Sequence, residues 1–427
     1  MTLPTAARAA HPRAPQVGAP AVLLLAYAFP PLQVQMSPVV ARLAAGLHEL
    51  GFAVDVIAAH PDASSSPLPS DDCLLDYVTA HCRRIQRLRP APSRLWPLLK
   101  RVRWLRDFPD CMARLHAPAF AAVMATQPAS YAAVLTVSPF HSVNPVMVRV
   151  RRARPDLRWI AHFCDPWAAN PLEPRRLVRR WNAWREPQTL GAASYVTHTS
   201  ARALELVRAA NPSLGPERAL VVPHVFDRAL YPQRAKRPNN KLTLRFLGTL
   251  FGRRSPTPLF LALALLLERR PRLRETLRVE LIGPMDRRLS AWPGVGALPA
   301  GLVAHRPAVR YLESLDLMYD ADLLRVIEAD VAATPFVPSK VIDYMGADTP
   351  IIGIAPAGGC REILDRLGCP SAAPDDVPGI AAALATGIER ILNGAASPWC
   401  REDVRLSFDL TRGTAAFVPL ILETRAQ

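Results

Sequence analysis

Short, largely apolar runs recur along this chain, each followed by a longer amphipathic stretch, and that alternation leaves few folds open. Residues 22–27, 53–57, 133–137, 159–163, 193–199 and 220–223 have the length and composition of strands, while 39–50, 144–154 and 175–185 repeat apolar side chains at helical spacing. Strands that are apolar throughout, rather than at every second position, are strands covered on both faces, which is the condition of a parallel sheet built from βαβ units. After residue 240 the pattern starts afresh, with a strand at 242–247, a loop at 248–256, a helix at 258–268, and strands at 279–283 and 351–354. Two doubly wound, Rossmann-like α/β domains facing a central cleft are expected, and 427 residues is too long for one core. The expected division is an Ala/Pro-rich disordered tail at 1–20, a first domain at 21–225, a proline-containing linker at 226–240 and a second domain at 241–395. A helical segment at 396–427 is expected to pack back towards the first domain.

One stretch carries more chemistry than the others. Pro335-Phe336-Val337-Pro338-Ser339-Lys340-Val341-Ile342-Asp343 leads into the apolar run 351–354. The prolines end what precedes them, Ser339 is a suitable N-cap, and 340–347 has the composition of two helical turns. A helix start with a lysine is an anion site, and a carboxylate one turn on accepts hydrogen bonds from paired hydroxyls, so phosphate and ribose are the expected ligands. The competing reading is a solvated Lys and Asp on a surface turn. Arg253 and Arg254, in a Gly-containing turn before a helix, form a second candidate anion site, against the alternative of a solvated pair. Asp165-Pro166-Trp167 follows the strand 159–163, the end at which open α/β sheets bind ligands, although an Asx-type turn before Pro166 explains Asp165 equally. The glycine fingerprint of dinucleotide-binding domains is missing, because the turn after the first strand reads Pro30-Pro31-Leu32-Gln33-Val34-Gln35.

The formal charge is +16, which calls for an anionic partner such as a phosphorylated substrate, a membrane surface or nucleic acid. Residues 83–106 and 175–185 interleave basic side chains with Trp, Leu and Val and are expected to lie on an anionic bilayer, the alternative being solvated faces with core-facing apolar stripes. No nucleic-acid-binding module accompanies them, and none is expected to be bound. The seven cysteines contain no CxxC pair, so neither a zinc site nor a disulfide framework is indicated, and a reducing cytosol fits. The apolar run 21–29 ends in Phe29-Pro30-Pro31, which is no signal-cleavage site, and no run approaches the ~20 residues of a membrane span.

Several separated stretches resemble the retaining GT-B glycosyltransferases of family 4, in the branch that builds bacterial polysaccharides and lipid-linked glycans. They are Ala26-Tyr27-Ala28-Phe29-Pro30-Pro31 with Arg42-Leu43-Ala44-Ala45-Gly46-Leu47, then Ser138-Pro139, Asp165-Pro166-Trp167 with Asn170-Pro171, Gly248-Thr249-Leu250 with Arg254-Ser255-Pro256, and Pro338-Ser339-Lys340 with Asp343-Tyr344. The resemblance implies a nucleoside diphosphate-sugar donor, a glycan or lipid-linked acceptor, and neither a metal nor another cofactor. Arg254 and Lys340 would take the diphosphate, Asp343 the ribose, with Gly248, Thr249, Arg253, Ser339 and Val341 completing the donor side. Asp165 would face the sugar and acceptor, with Pro31, Ser138, His141 and Trp167 around it; Asp165, Arg254 and Lys340 are the implied catalytic residues. Work at the cytoplasmic face of a membrane follows from the acceptor and the basic stretches. The chain departs from the family at Gln33 and Val34, where glycines are usual, at Pro335, where a glutamate is, and at His162 and Cys164 beside Asp165. An inactive nucleotide-sugar binder of the same fold therefore stays open as a second reading, a basic nucleic-acid binder as a third, and a sugar-nucleotide epimerase of this fold as a further enzyme.

Overall fold

The computed structural model describes residues 18–94, 96–102, 106–127, 130–171, 173–394 and 398–423. Most of the tail expected to be disordered lies outside these residues, as do Leu95, Arg103, Trp104 and Leu105 of the first basic stretch. The chain divides into one unit of Met1–Val225 with Leu410–Gln427 and a second of Phe226–Asp409.

The first unit is a sheet of seven strands, β1 (Ala21–Leu25), β2 (Ala53–Ala59), β3 (Arg84–Leu88), β4 (Ala133–Ser138), β5 (Trp159–Phe163), β6 (Tyr195–His198) and β7 (Ala219–Val221), in the order β3-β2-β1-β4-β5-β6-β7. All pairings are parallel, and in the middle Leu24 lies opposite both Val56 and Leu135. These positions are sealed because helices such as Ser37–Glu49 and Val143–Ala153 cover the faces, and each fully buried leucine or valine contributes about 1.5–3 kcal/mol. The terminal segment belongs here: helix Leu410–Thr414 packs on helix Ser37–Glu49, so closely at Gly46 that a Cβ would stand 2.3 Å from the Thr414 hydroxyl.

Residues 83–106 do not form one amphipathic element. Their first part is the edge strand β3 and the residue before it, where two arginines have internal partners: Arg83 donates to both Asp55 oxygens at 2.9 and 2.7 Å, and Arg87 donates to the Pro30 carbonyl. Arg84 and Arg89 at the strand's ends are exposed, and the short helix Trp96–Leu99 and its flanks present Arg94, Leu98, Lys100, Arg101 and Val102 to solvent. The second stretch lies in helix Arg176–Ala192. There Trp181 turns inward, 5.7 Å from Trp167, while Trp184 stays exposed under the Arg185 guanidinium.

The second unit repeats the topology. Strands β8 (Leu242–Leu247), β9 (Leu277–Ile282), β10 (Val303–Arg306), β11 (Leu323–Ile327), β13 (Ile351–Ile354) and β15 (Ser371–Ala372) pair in parallel in the order β10-β9-β8-β11-β13-β15, and β12 (Ala333–Thr334) pairs with β14 (Ala357–Gly358). Helix Thr257–Arg269 buries Leu259, Phe260, Leu263, Leu266 and Leu267, the stripe that a 3.6-residue period places on one face. Residues 226–240, expected as a linker, are tied to this unit instead. Arg234 holds Asp320 through two bonds of 2.8 and 2.7 Å, and the Tyr231 hydroxyl donates to the Asp343 carbonyl at 2.7 Å. A segment with that many fixed partners is part of the domain. Residues 398–409 also belong to it, so the segment expected from 396 onward is divided between the units at Leu410.

One backbone contact sets the site-bearing edge. Gly283, directly after β9, has φ of 132°, and a Cβ there would lie 2.1 Å from the Gly248 carbonyl oxygen directly after β8. Only glycine allows that approach. Gly283→Ala is expected to destabilise the second unit by about 1–3 kcal/mol, read by chemical denaturation, because the Gly248 turn must move to admit a methyl group; an unchanged unfolding midpoint would show that the two turns are not pressed together.

Candidate functional site

In a parallel sheet every strand ends on the same edge, so the loops after β8, β9 and β11 are neighbours although far apart in sequence. The Gly248 amide donates to the Ile282 carbonyl at 2.9 Å and the Leu250 amide to the Pro284 carbonyl at 3.0 Å, which carries Gly248 and Thr249 along the end of β9. The chain then closes a tight turn in which Phe251 and Arg254 exchange backbone bonds of 3.2 and 2.9 Å. That turn is fastened from outside. The Gly252 amide donates to Asp286 Oδ2 at 2.8 Å, the Asp330 amide to the Arg253 carbonyl at 2.9 Å, and Arg254 Nη2 to Glu328 Oε1 at 2.9 Å. Thr249 and Arg253 are exposed; Arg254 is half-buried, with Nε shielded and without a partner.

The helix expected after Pro338 is Ser339–Gly346. Its N-cap is Pro338 rather than Ser339, which is the first helical residue and is buried. Tyr344 fixes the helix to β8: its hydroxyl accepts the Leu247 amide at 2.9 Å and donates to the Leu247 carbonyl at 3.3 Å. One turn earlier, Lys340 Nζ is 3.7 Å from Asp343 Oδ2, Tyr311 donates to Asp343 Oδ1 at 3.2 Å, and the Lys340 ammonium sits 5.9 Å over the Tyr311 ring. Asp343 is buried and Lys340 reaches solvent. Val341 is fully buried and its amide is bonded to the Pro338 carbonyl at 3.0 Å, which commits it to the turn instead of to a ligand. The structure thus joins Lys340 with Asp343, and Gly248 with the Arg254 turn. Glu328, Asp286, Tyr311 and Tyr231 are supporting residues that sequence reasoning missed.

In the first unit the residues expected on the acceptor side lie at the ends of β1, β4 and β5, adjacent strands of the sheet. Pro31 accepts from the Asp71 amide at 2.7 Å. Ser138 is fully buried, its hydroxyl directed to the His162 carbonyl at 3.4 Å. His141 stacks on Trp167 at 4.9 Å between centroids, in a loop that Asp110 holds by accepting from the Ser142 amide and hydroxyl, each at 2.8 Å. Trp167 is only 1% exposed, with its indole N–H given to Asn182 at 2.8 Å, so Ser138 and Trp167 shape the edge from beneath rather than presenting a surface to an acceptor. Glu186 completes the clamp by accepting from the Ala168 amide at 2.9 Å and from Asn211 at 3.1 Å. Asn182 and Glu186 come from the helix read in sequence as a basic face, and the charge pattern hid them. Asp165 stands in the loop so held, and burial pushes its carboxyl up to about 6.

Three further histidines surround this edge. His162 accepts from or donates to Thr197 at 2.8 Å, His198 stacks on Phe163 at 5.1 Å, and His224 is buried past β7; burial keeps all three neutral, with pKa values lowered to about 4, 3 and 3. Among the described residues no group of three His, Cys, Asp or Glu side chains can hold a metal ion. No described helix is long and apolar enough to cross a membrane.

No profile of a known protein family matches the chain, and no curated protein is similar to it in sequence. Solved structures are similar in fold. HepE of Anabaena in complex with UDP is 16% identical at a TM-score of 0.62, covering 95% of this chain and 100% of that one. Trehalose-6-phosphate synthase OtsA is 12% identical at 0.64, covering 94% and 99%. Sucrose-phosphate synthase of Thermosynechococcus elongatus is 17% identical at 0.56, covering 94% and 98%. At these identities the likeness carries the architecture: the fold is α/β with parallel sheets in two domains, of the GT-B kind.

Asp165 gives this site a measurable signature. A carboxyl whose folded value, about 6, lies above its ordinary 3.8 favours folding most below pH 3.8 and loses that contribution as pH rises through 6. Asp165→Asn is therefore expected to stabilise the protein by about 3 kcal/mol at pH 8 and to have little effect at pH 4. Equal unfolding midpoints for variant and parent at pH 8 would mean that Asp165 carries no burial cost.

Proposed function

We propose that the protein is a glycosyltransferase that moves a sugar from a nucleoside diphosphate-sugar to a glycan or lipid-linked acceptor, with retention, in the manner of family 4. The observation that carries this reading is the group of Lys340, Asp343 and Tyr311 at the head of a helix that Tyr344 fastens to the end of β8, directly before the Gly248 turn. A half-exposed ammonium there and the Arg254 guanidinium after the same turn are two cations for one diphosphate. As the bond from the sugar carbon to the phosphate oxygen breaks, negative charge grows on the departing diphosphate, and fixed cations stabilise it more than they stabilise the intact donor. These residues supply the charge that a divalent cation supplies in other transferases. Asp343 is the candidate for the ribose hydroxyls and Asp165 the candidate on the acceptor side. HepE has been solved with UDP and with UDP-glucose, which makes UDP the first nucleotide to test.

The acceptor reading includes the cytoplasmic face of a membrane. Helix Arg176–Ala192 presents Arg176, Leu177, Arg179, Arg180 and Trp184 to solvent, a basic face carrying two large apolar side chains. Each basic residue near an anionic leaflet contributes about 1 kcal/mol, and tryptophan prefers the interface.

Two experiments test these readings. Lys340→Ala and Arg254→Ala should each weaken UDP binding by about tenfold or more while leaving uridine unchanged, because each removes a charge-assisted bond to phosphate; equal losses for both ligands in calorimetry would remove the assignment, and Asp343→Ala should cost UDP more than its 2′,3′-dideoxy analogue. Separately, changing Arg176 and Arg180 to Glu and Trp184 to Ala should release the protein from phosphatidylglycerol-containing vesicles at low salt without altering UDP affinity. Retention by DNA at a salt concentration where vesicles do not bind would transfer the basic face to a nucleic-acid partner.

A further inference from the structure

Glu328 comes directly after β11, and no feature of the sequence marked it. Its carboxyl is 5% exposed, burial raises its pKa, and the Arg254 guanidinium 2.9 Å away opposes that rise. A carboxylate in such a place costs free energy that a surface residue does not, and it is held there by one cation. That cation is the arginine assigned to the diphosphate. The thiol of Cys360, fully buried near the pair, stays protonated because burial and Glu328 hold it well above the ordinary thiol range, so it offers Arg254 no competing charge.

The backbone of the Arg254 turn is closed by the Phe251–Arg254 bonds, which leave the arginine side chain free. That side chain can take many rotamers, and fixing a long basic side chain costs about 1.5–2 kcal/mol of rotamer freedom. The segment after β11 removes that freedom through Glu328, which fixes Arg254 Nη2, while the Asp330 amide holds the backbone at the Arg253 carbonyl. The guanidinium has five N–H donors in a rigid fork, so engaging Nη2 with Glu328 leaves Nη1 for a ligand, while Nε is shielded and has no hydrogen-bond partner in the protein.

We propose that Glu328 is the positioning residue of the diphosphate-binding arginine: it holds the Arg254 guanidinium in the orientation that receives the donor, through a hydrogen bond that outlasts donor binding. The inference rests on the reading of Arg254 given above. It also accounts for a buried acid at this edge that accepts from Arg254.

The test is calorimetric titration of the full chain with UDP and with uridine, for the parent, Arg254→Ala, Glu328→Ala and Glu328→Gln, with thermal midpoints measured in parallel. Arg254→Ala and Glu328→Ala should each weaken UDP by about tenfold or more and leave uridine unchanged. Glu328→Gln should stay within about threefold of the parent, because the amide oxygen keeps the acceptor. A Glu328→Ala variant that binds UDP like the parent while Arg254→Ala does not overturns the positioning role and leaves the donor site intact. Loss of uridine together with UDP in Glu328→Ala, or a Gln variant as weak as the Ala variant, also overturns it. Parental UDP affinity in Arg254→Ala removes the donor-site reading itself, a result separate from the other three.

Discussion

Two parallel sheets covered by helices on both faces leave each domain one edge at which polar chemistry can meet solvent. Strand interiors such as Leu244 opposite Val279 and Leu323, or Leu24 opposite Val56 and Leu135, have no room for a ligand. The carboxyl ends differ because there the chain must leave the sheet, and its backbone groups need partners other than strands. In the second unit that need brings Gly248 under Gly283, Arg254 to Glu328 and Tyr344 to Leu247. The site is thus where the fold has to make irregular hydrogen bonds in any case, and the residues that satisfy them are the ones a ligand would meet.

The same burial governs what polar groups inside the first unit do. His141, His162, His198 and His224 lie at or near the ends of β4 to β7, and burial holds every one neutral. A neutral imidazole is a flat, aromatic body, and three of these four are used that way, His198 against Phe163, His141 against Trp167 and His162 edge-on to Phe417. The cost appears on the acid side. With folded pKa values of about 3 to 4 against an ordinary 6.5, the unfolded chain takes up protons that the folded chain refuses, so stability falls as pH drops from 6.5 towards 4. An edge built from stacked imidazoles is rigid at neutral pH and is weakened by acid.

How much of this could be read in the sequence depended on whether the signal was local. The strands Leu242–Leu247, Trp159–Phe163 and Ile351–Ile354 were legible to the residue because they are short apolar runs with turn residues after them. Strand β11 was not, because Arg325 stands in its middle, fully buried with its pKa lowered to about 9 by desolvation, and a charge in a five-residue run disguises the run as a loop. Strand β3 was hidden likewise by Arg84 and Arg87, which an edge strand tolerates. Losing β11 also lost Glu328, since a residue can be placed at a strand's end only when the strand has been seen. Lys340, Asp343 and the Arg254 turn were legible as helix-start and glycine-turn patterns. Tyr311, Asp286 and Glu186 were not, because each reaches its partner across at least 18 residues of sequence, and only the packed sheet brings them together.

Both candidate cations already have a carboxylate: Lys340 has Asp343 at 3.7 Å and Arg254 has Glu328 at 2.9 Å. An empty site made of bare positive charge would repel itself and would attract any anion. Pairing removes the repulsion and pre-orients each cation, so less side-chain entropy remains to be lost when a diphosphate arrives. The attraction that remains is a difference, that of the phosphates for the cations against the repulsion from the two carboxylates behind them. If these cations bind a diphosphate as proposed, its affinity is thereby held below what two free cations would give. For a transferase whose product is a nucleoside diphosphate this matters, because the product carries more exposed charge than the sugar-bearing donor and would otherwise be the tighter ligand. On the proposed reading, carboxylates placed behind the two candidate cations would favour its release.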